Sequence, residues 1–170
     1  AIGVSTHAPL AERDPSAAPL PQIAGVSTHA PPAGRDPASW PNLARGKGET
    51  ILLAEDHRYV REIMATLLQS QGYQVVQADT GTALLESYRA CQARLLIVDL
   101  DLPQRNGLDC VRQMRAEGER LPVIFTTGME PPADLTGQLD DRTVLLRKPF
   151  QMATLARLVA SLIAEQSPGS

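Results

Sequence analysis

Reactive side chains lie close to the ends of four short apolar runs in this sequence. These residues are Glu55 with Asp56, Asp99, Thr127 and Lys148. In open parallel sheets the carboxyl ends of the strands form one edge, and ligands bind there. We therefore expect three carboxylates, one hydroxyl and one ammonium group to converge at a single edge of a sheet.

Such a set of groups suits phosphoryl transfer to a carboxylate. Clustered carboxylates repel one another unless a hard dication such as Mg²⁺ or Mn²⁺ binds between their oxygens. With that repulsion removed, a carboxylate oxygen can attack phosphorus and give an aspartyl phosphate. Lys148 would supply positive charge to the phosphoryl oxygens, and Thr127 a hydrogen bond.

The elements that must position these groups alternate between two periodicities. Short apolar runs indicate five strands, and segments of helical periodicity indicate about five helices. This alternation is typical of a parallel sheet with helices on both faces. Because 129–141 contains Pro131, Pro132 and Gly137, we expect only a short or irregular helix there. The expected strands lie at 51–54, 75–76, 95–98, 123–125 and 144–146.

Several motifs occur in the order and at the spacing of one known family. They are ILLAEDH at 51–57, LLIVDLDLPQRNGL at 95–108, PVIFTTG at 122–128 and RKPF at 147–150. On these motifs the sequence resembles the receiver domain of two-component response regulators, over about 50–165. The resemblance implies an α/β, flavodoxin-like (βα)5 fold, a doubly wound parallel sheet with strand order 2-1-3-4-5.

The resemblance also implies roles for the acidic residues. Asp99 would accept a phosphoryl group from a phosphohistidine. Asp56 and Asp99 would ligate Mg²⁺ or Mn²⁺, together with the backbone carbonyl of Asp101, and Glu55 would act through a water molecule.

The two consecutive threonines need to be told apart. The family's hydroxyl lies five residues after the proline that opens the fourth strand, which selects Thr127 as the residue that binds the phosphoryl group and moves on activation. Thr126 would point the other way, because side chains alternate along a strand. Gly128 would leave the phosphoryl pocket open to a partner or to water.

The RKPF motif supplies the cation, and the sequence departs from the family pattern shortly before this motif. Lys148 would pair with the phosphoryl group, and the Lys148–Pro149 bond would be cis. The family often has Tyr or Phe three residues before the lysine, as a ring that turns inward on activation. This sequence has Leu145 at that place, so the usual aromatic switch is not expected.

The start of the chain differs in composition from the rest. Gly3–Pro9 and Gly25–Pro31 both read GVSTHAP, in a segment rich in Ala and Pro with few apolar residues. Such a composition cannot build a core. We therefore predict a disordered linker at 1–48, a receiver domain at 49–166 and a short tail at 167–170.

Composition narrows the classes of function. The net charge of −3 gives no basic footprint for nucleic acid. Cys91 and Cys110 stand far apart without a metal-binding spacing, which is typical of reduced thiols. No apolar stretch reaches the roughly 18 residues of a membrane span. We predict a cytoplasmic protein without a membrane segment.

The predicted function is that of a phospho-accepting domain of a phosphorelay, not an enzyme by itself, which switches protein–protein interactions. Its expected partner is a histidine kinase or a histidine phosphotransfer domain, and a weak homodimer stays open. No output domain follows the last predicted helix in this sequence, which fits two contexts. The entry GKGETILLAED at 46–56 resembles how receivers begin after a kinase catalytic domain, and the long Ala/Pro-rich linker suits that context. We therefore favour the C-terminal receiver of a hybrid sensor histidine kinase. A stand-alone single-domain response regulator is the alternative.

Two further classes of function share some of these features. Asp99-Leu100-Asp101 also resembles the motif of haloacid-dehalogenase-type phosphatases, which use an aspartate nucleophile. Those enzymes place Thr or Val where this sequence has Pro103, and they lack the upstream acidic pair. A degenerate receiver that only binds partners is disfavoured, because every expected site residue is present.

Overall fold

The computed structural model of the chain describes residues 45–133, 135, 140 and 142–166. The expectations for 1–44, including the repeated GVSTHAP, and for 167–170 lie outside the described residues. The elements of the described part, in chain order, are β1 (Thr50–Ala54), α1 (Arg58–Ser70), β2 (Gln74–Ala78), α2 (Gly81–Ala90), β3 (Ala93–Asp99), α3 (Gly107–Ala116), β4 (Val123–Thr127), β5 (Thr143–Arg147) and α4 (Met152–Ala164).

The five strands form one parallel sheet in the order β2-β1-β3-β4-β5. This confirms the flavodoxin-like order that the resemblance implied. Helices α2 and α3 pack against one face of the sheet, and α1 and α4 pack against the other. The sheet is therefore doubly wound, as the alternation of periodicities predicted.

The central strands read as continuous apolar runs because both of their faces are buried. In β3, Leu95 and Ile97 pack into the core beside α1 and α4, whereas Leu96 and Val98 pack into the core beside α2 and α3. Side chains that alternate between two covered faces require apolar residues at every position. Each fully buried Leu or Ile contributes about 1.5–3 kcal/mol relative to an exposed one.

Polar residues and glycines fix where the helices begin and end. The hydroxyl of Thr80 accepts a backbone N–H bond of 3.1 Å at the start of α2, and Asn106 does the same at 2.8 Å for α3. These caps satisfy amide groups that have no partner within the helix. Gly72 follows α1 with φ of 93°, a conformation that side chains with a Cβ rarely adopt.

The segment between β4 and β5 was expected to hold a short or irregular helix. The described residues of this segment, 128–133, 135, 140 and 142, form bends, turns and irregular chain, and the rest of the expected helix lies outside the described residues. Leu135 is buried and joins the core beside α2 and α3. Leu135 therefore anchors this connection to the core.

Before the first strand, the chain contacts the turn between α1 and β2. The N–H groups of Gly46 and Gly48 donate to the carbonyls of Gln71 (2.8 Å) and Gly72 (3.0 Å). A Cβ on Gly46 would lie 2.4 Å from the ring of Tyr73, so only glycine fits under that ring. The contact runs along the turn between α1 and β2, at the edge opposite the carboxyl ends of the strands. The predicted limits of the linker and the domain remain predictions.

A hydrogen bond between distant side chains joins α2 to the turn after α3. The hydroxyl of Tyr88 donates to Glu119 over 2.7 Å, and this bond raises the pKa of Tyr88 to about 12. The other carboxylate oxygen of Glu119 accepts from the N–H groups of Arg120 and Leu121 at 2.7 and 3.0 Å. Glu119 thus holds the approach to β4 in place.

We predict that Tyr88→Phe lowers the free energy of unfolding by about 1 kcal/mol near pH 8, the usual worth of one hydrogen bond to a charged group that is partly exposed. Because the pKa of Tyr88 is raised in the folded state to about 12, this contribution is complete below the unfolded value near 10. It is lost as the pH rises through 12.

Urea unfolding of both proteins at several pH values between 8 and 12 tests this. The stability difference between the two proteins should shrink at alkaline pH. A difference that stays constant or widens would contradict the assignment of the raised pKa to Tyr88.

Candidate functional site

The sequence-predicted site residues lie together at the carboxyl edge of the sheet. Glu55 follows β1, Asp99 ends β3, Thr127 ends β4 and Lys148 follows β5. Hydrogen bonds join three of them directly, since the Lys148 ammonium contacts both Glu55 and Asp99. The carboxyl ends of the strands bring together residues that are as far apart as 93 positions in sequence.

Three carboxylates form a compact acidic cluster. Glu55, Asp56 and Asp99 each offer one oxygen atom, and these atoms lie within 4.8 Å of one another. Glu55 and Asp99 are buried, while Asp56 is exposed to solvent. Mg²⁺ prefers carboxylate oxygens and keeps several of its water molecules. The oxygen donors and one solvent-facing side therefore fit Mg²⁺ or Mn²⁺.

Lys148 places a positive charge between the two buried carboxylates. Its Nζ lies 2.7 Å from an oxygen of Glu55 and 2.5 Å from an oxygen of Asp99. Burial opposes the charged form of Lys148, but the hydrogen bonds to Asp99 and Glu55 outweigh it and raise the lysine pKa. Lys148 is therefore a fixed cation at this edge.

Burial also acts on Glu55, whose side chain is 1% exposed. Desolvation raises its pKa above the ordinary value, although the hydrogen bond from Lys148 opposes this. A dication that binds beside Glu55 would stabilise its ionised form, so metal binding and proton release would be coupled.

The backbone around Asp99 is held by close contacts. One carboxylate oxygen of Asp99 accepts from the N–H of Asp101 at 3.0 Å. The N–H of Gly107 donates to the carbonyl of Leu100 at 3.1 Å. A Cβ on Gly107 would lie 2.1 Å from the Asp99 carbonyl oxygen, so α3 can approach this strand end only through glycine. The role of the Asp101 carbonyl as a metal ligand stays a prediction.

Sequence reasoning missed Arg61, which lies on the first turns of α1. Its guanidinium donates to the backbone carbonyl of Glu55 at 2.6 Å and to that of Asp56 at 3.3 Å. The two carbonyls belong to the loop that presents the acidic pair. An arginine five residues after a predicted acidic ligand, at the start of a predicted helix, was the available signal.

The two threonines differ in their surroundings. The hydroxyl of Thr127 accepts from the N–H of Met129 at 3.1 Å and lies 3.2 Å from its carbonyl oxygen. Thr126 pairs in register with Asp99 on the neighbouring strand β3 and is also buried. A Cβ on Gly128 would meet no atom within 4 Å, so the space beside Thr127 is open.

The remaining predicted residues lie close to the lysine in sequence. The Lys148–Pro149 bond is cis, as the resemblance implied, and Pro149 is exposed. Leu145 is half-buried and packs against the core beside α2 and α3. Thr127 pairs in register with Arg147, and Leu145 precedes Arg147 by two residues on the same strand. Because side chains alternate along a strand, Leu145 lies on the same face of the sheet as Thr127.

A family model described as a response regulator receiver domain matches residues 51–160. The chain belongs to the receiver domain family of response regulators. The expectation drawn from the motifs is thereby confirmed, and receiver domains bind Mg²⁺ through acidic residues such as the cluster present here.

Two curated relatives illustrate the contexts in which similar receiver domains occur. The chain is 30% identical to "Response regulator MprA" of Mycobacterium leprae over 119 residues, 69% of this chain and 52% of that protein. It is 34% identical to "CAI-1 autoinducer sensor kinase/phosphatase CqsS" of Vibrio cholerae over 112 residues, 58% of this chain and 16% of that protein. The chain thus spans about half of the first relative and a small part of the second.

A solved structure of another receiver domain has the same fold. The receiver domain from the hybrid histidine kinase CckA is similar to this one with a TM-score of 0.57 and 29% sequence identity. The match covers 67% of this chain and 98% of that structure.

Among the described residues, none of the helices has the length and apolarity needed to cross a membrane.

The close approach of Gly107 to the strand end generates a prediction. In an ordinary helix Gly→Ala is favourable, but here the added methyl would collide with the Asp99 carbonyl. We expect Gly107→Ala to lower the free energy of unfolding by about 1–3 kcal/mol, the usual cost of overpacking. Gly128→Ala is the control and should change it by less than about 0.5 kcal/mol, because open space surrounds that position.

Chemical denaturation of the two variants and the unaltered protein measures the difference. A Gly107→Ala protein as stable as the Gly128→Ala protein would contradict the described packing of α3 against the end of β3.

Proposed function

We propose that this chain accepts a phosphoryl group on Asp99 from a phosphohistidine, in a reaction that depends on Mg²⁺ or Mn²⁺. The observation that carries the proposal is the contact of the Lys148 ammonium with Asp99 and Glu55. These are two of the three clustered carboxylates whose oxygens fit a dication. Phosphoryl transfer needs mainly positioning and positive charge around the transferred group. This edge of the sheet offers both.

In the proposed step, a carboxylate oxygen of Asp99 attacks phosphorus, and the bond between phosphorus and the donor imidazole nitrogen breaks. The electron pair of that bond stays on the imidazole, and the product is an acyl phosphate. The bound dication, when present, offsets the negative charge of the carboxylates and the phosphoryl oxygens. The Asp101 N–H fixes the rotamer of Asp99, and Lys148 follows the charge onto the phosphoryl group.

The response to phosphorylation would start at Thr127. Within the described residues its hydroxyl bonds only to Met129, so it can turn toward a phosphoryl oxygen at modest cost. Gly128 leaves room for that group and for a partner or water. Leu145, on the same face as Thr127, can repack but has no ring or hydroxyl to bury. We propose that the signal is carried by repacking around Leu145 rather than by an aromatic switch.

The proposed partner is a histidine kinase or a histidine phosphotransfer domain, and the proposed context is the receiver of a hybrid sensor histidine kinase. The similarity to a sensor kinase/phosphatase and to the receiver of a hybrid kinase supports this context. The similarity to a response regulator supports the alternative, a separate regulator. A cytoplasmic location and the capacity for a weak homodimer are part of the proposal.

We predict that acetyl phosphate with Mg²⁺, or a phosphorylated histidine phosphotransfer protein, phosphorylates the chain, and that Asp99→Asn abolishes this because it removes the nucleophile. The matched control is Asp109→Asn, which removes an exposed carboxylate on α3 that pairs with Arg112. Intact-protein mass measures the added phosphoryl group.

Labelling that persists in Asp99→Asn, or that is lost equally in Asp109→Asn, would contradict the assignment. The same samples test the phosphatase alternative. Steady hydrolysis of p-nitrophenyl phosphate would favour a haloacid-dehalogenase-type activity.

We further predict that beryllofluoride, a mimic of the aspartyl phosphate, binds only when Mg²⁺ is present. A ligand at 100 times its Kd should stabilise the folded protein by about 2.7 kcal/mol, visible as a higher melting temperature. Asp56→Asn should weaken this effect, because it removes one carboxylate of the cluster. Glu62→Gln removes an exposed carboxylate on α1 outside the cluster and is the control.

Chelation of the dication should remove the stabilisation. Stabilisation that survives chelation, or that Asp56→Asn leaves intact, would show that the acidic cluster does not hold the dication.

A further inference from the structure

The second threonine of β4 lies on the same face of the sheet as the phosphoacceptor. Asp99 follows Ile97 by two positions, and Thr126 follows Ile124 by two positions; Ile97 and Ile124 both pack into the core beside α1 and α4. Asp99 and Thr126 are partners in the register of β3 and β4. Side chains of register partners point to the same face and lie close together. Thr126 is therefore the neighbour of Asp99 across the strands.

The side chain of Lys148 must cross the end of β4 to reach its partners. Lys148 follows β5, Asp99 ends β3, and β4 lies between these strands in the sheet. Yet the Lys148 Nζ lies 2.5 Å from Asp99 and 2.7 Å from Glu55. Lys148 follows Leu146 by two positions, and Leu146 packs on the same face as Thr126. By strand alternation we expect the lysine side chain on the face that carries Thr126, and within the described residues no hydrogen bond joins the two side chains.

The hydroxyl of Thr126 has no protein partner to explain its burial. The side chain is 1% exposed, and within the described part of the chain no group forms a hydrogen bond with its Oγ1. Its backbone is held by the N–H of Leu100, which donates to the Thr126 carbonyl at 2.9 Å. A buried hydroxyl without a partner is unfavourable, so native proteins rarely keep one without a use.

The ammonium of Lys148 has a third N–H donor besides the two that bond to carboxylates. A lysine carries three N–H donors, and two of them go to Glu55 and Asp99. After phosphorylation the Asp99 oxygen that attacked phosphorus belongs to a mixed anhydride and is a weaker acceptor. The ammonium must then turn toward the phosphoryl oxygens while remaining over the end of β4.

We propose that Thr126 is a positioning residue that acts through Lys148: its hydroxyl accepts the third hydrogen bond of the lysine ammonium while that ammonium holds the transferred phosphoryl group. This inference rests on the proposed function. It gives the two threonines different tasks, because the Thr127 hydroxyl is engaged with Met129 on the opposite face.

Two substitutions test the proposal. Thr126→Val keeps the shape and removes the hydroxyl, and Thr126→Ser keeps the hydroxyl. Loss of one hydrogen bond to a charged group should slow labelling by acetyl phosphate about tenfold at saturating Mg²⁺ in Thr126→Val. Thr126→Ser should stay within about threefold of the unaltered chain.

Two further readouts separate positioning from a merely structural effect. Because Thr126 is not part of the acidic cluster, Thr126→Val should leave the affinity for Mg²⁺ unchanged and the melting temperature equal or higher. In ¹⁵N NMR spectra of the beryllofluoride complex, the Lys148 ammonium signal should be sharp in the unaltered chain and in Thr126→Ser. It should broaden through faster proton exchange in Thr126→Val.

The outcomes distinguish this inference from the proposed function. Equal labelling rates for Thr126→Val and the unaltered chain, or a Thr126→Ser protein as slow as Thr126→Val, would overturn the positioning role alone. An ammonium signal that is the same in all three proteins would do so as well. Failure of the unaltered chain to label would overturn the proposed function and this inference with it.

Discussion

The contact on which the site depends is the one that Lys148 makes with two buried carboxylates. Glu55 and Asp99 are almost inaccessible to water, and one oxygen of each lies within 4.8 Å of the other. Two buried negative charges so close together would be strongly unfavourable without a cation. The lysine supplies that cation over 2.7 and 2.5 Å. It offsets part of this negative charge and holds the Asp99 carboxylate in place, and in the proposed reaction it follows the charge onto the phosphoryl group.

The fold makes this contact possible because it fixes the strand ends relative to one another. The N–H of Lys148 donates to the Thr127 carbonyl at 2.7 Å, and the N–H of Leu100 donates to the Thr126 carbonyl at 2.9 Å. These bonds continue the sheet past the last strand residues. Gly107 lets α3 approach the carbonyl of Asp99, and Arg61 holds the loop that carries the acidic pair. The site is thus built from backbone contacts as much as from its reactive groups.

Much of this could be predicted from the sequence, because apolar runs mark the strands and polar residues mark their ends. The strand order came from the resemblance and is confirmed by the structure. The support from Arg61 was missed because it acts on backbone carbonyls, so the position of an arginine after the acidic pair does not by itself reveal the contact. Strand alternation predicts that Thr126 and Thr127 point to opposite faces, and only the register shows that Thr126 is the one beside Asp99. The phosphoryl-binding role of Thr127 stays a prediction.

The central claim is that Asp99 is the residue that becomes phosphorylated, and chemical trapping tests it most directly. Borohydride reduces an acyl phosphate to the corresponding alcohol, so a phosphorylated aspartate is converted to homoserine. Peptide mass mapping after phosphorylation and reduction should find homoserine at position 99. Homoserine at Asp56 or Asp101 instead, or at no position in a protein that has gained phosphate, would contradict the account.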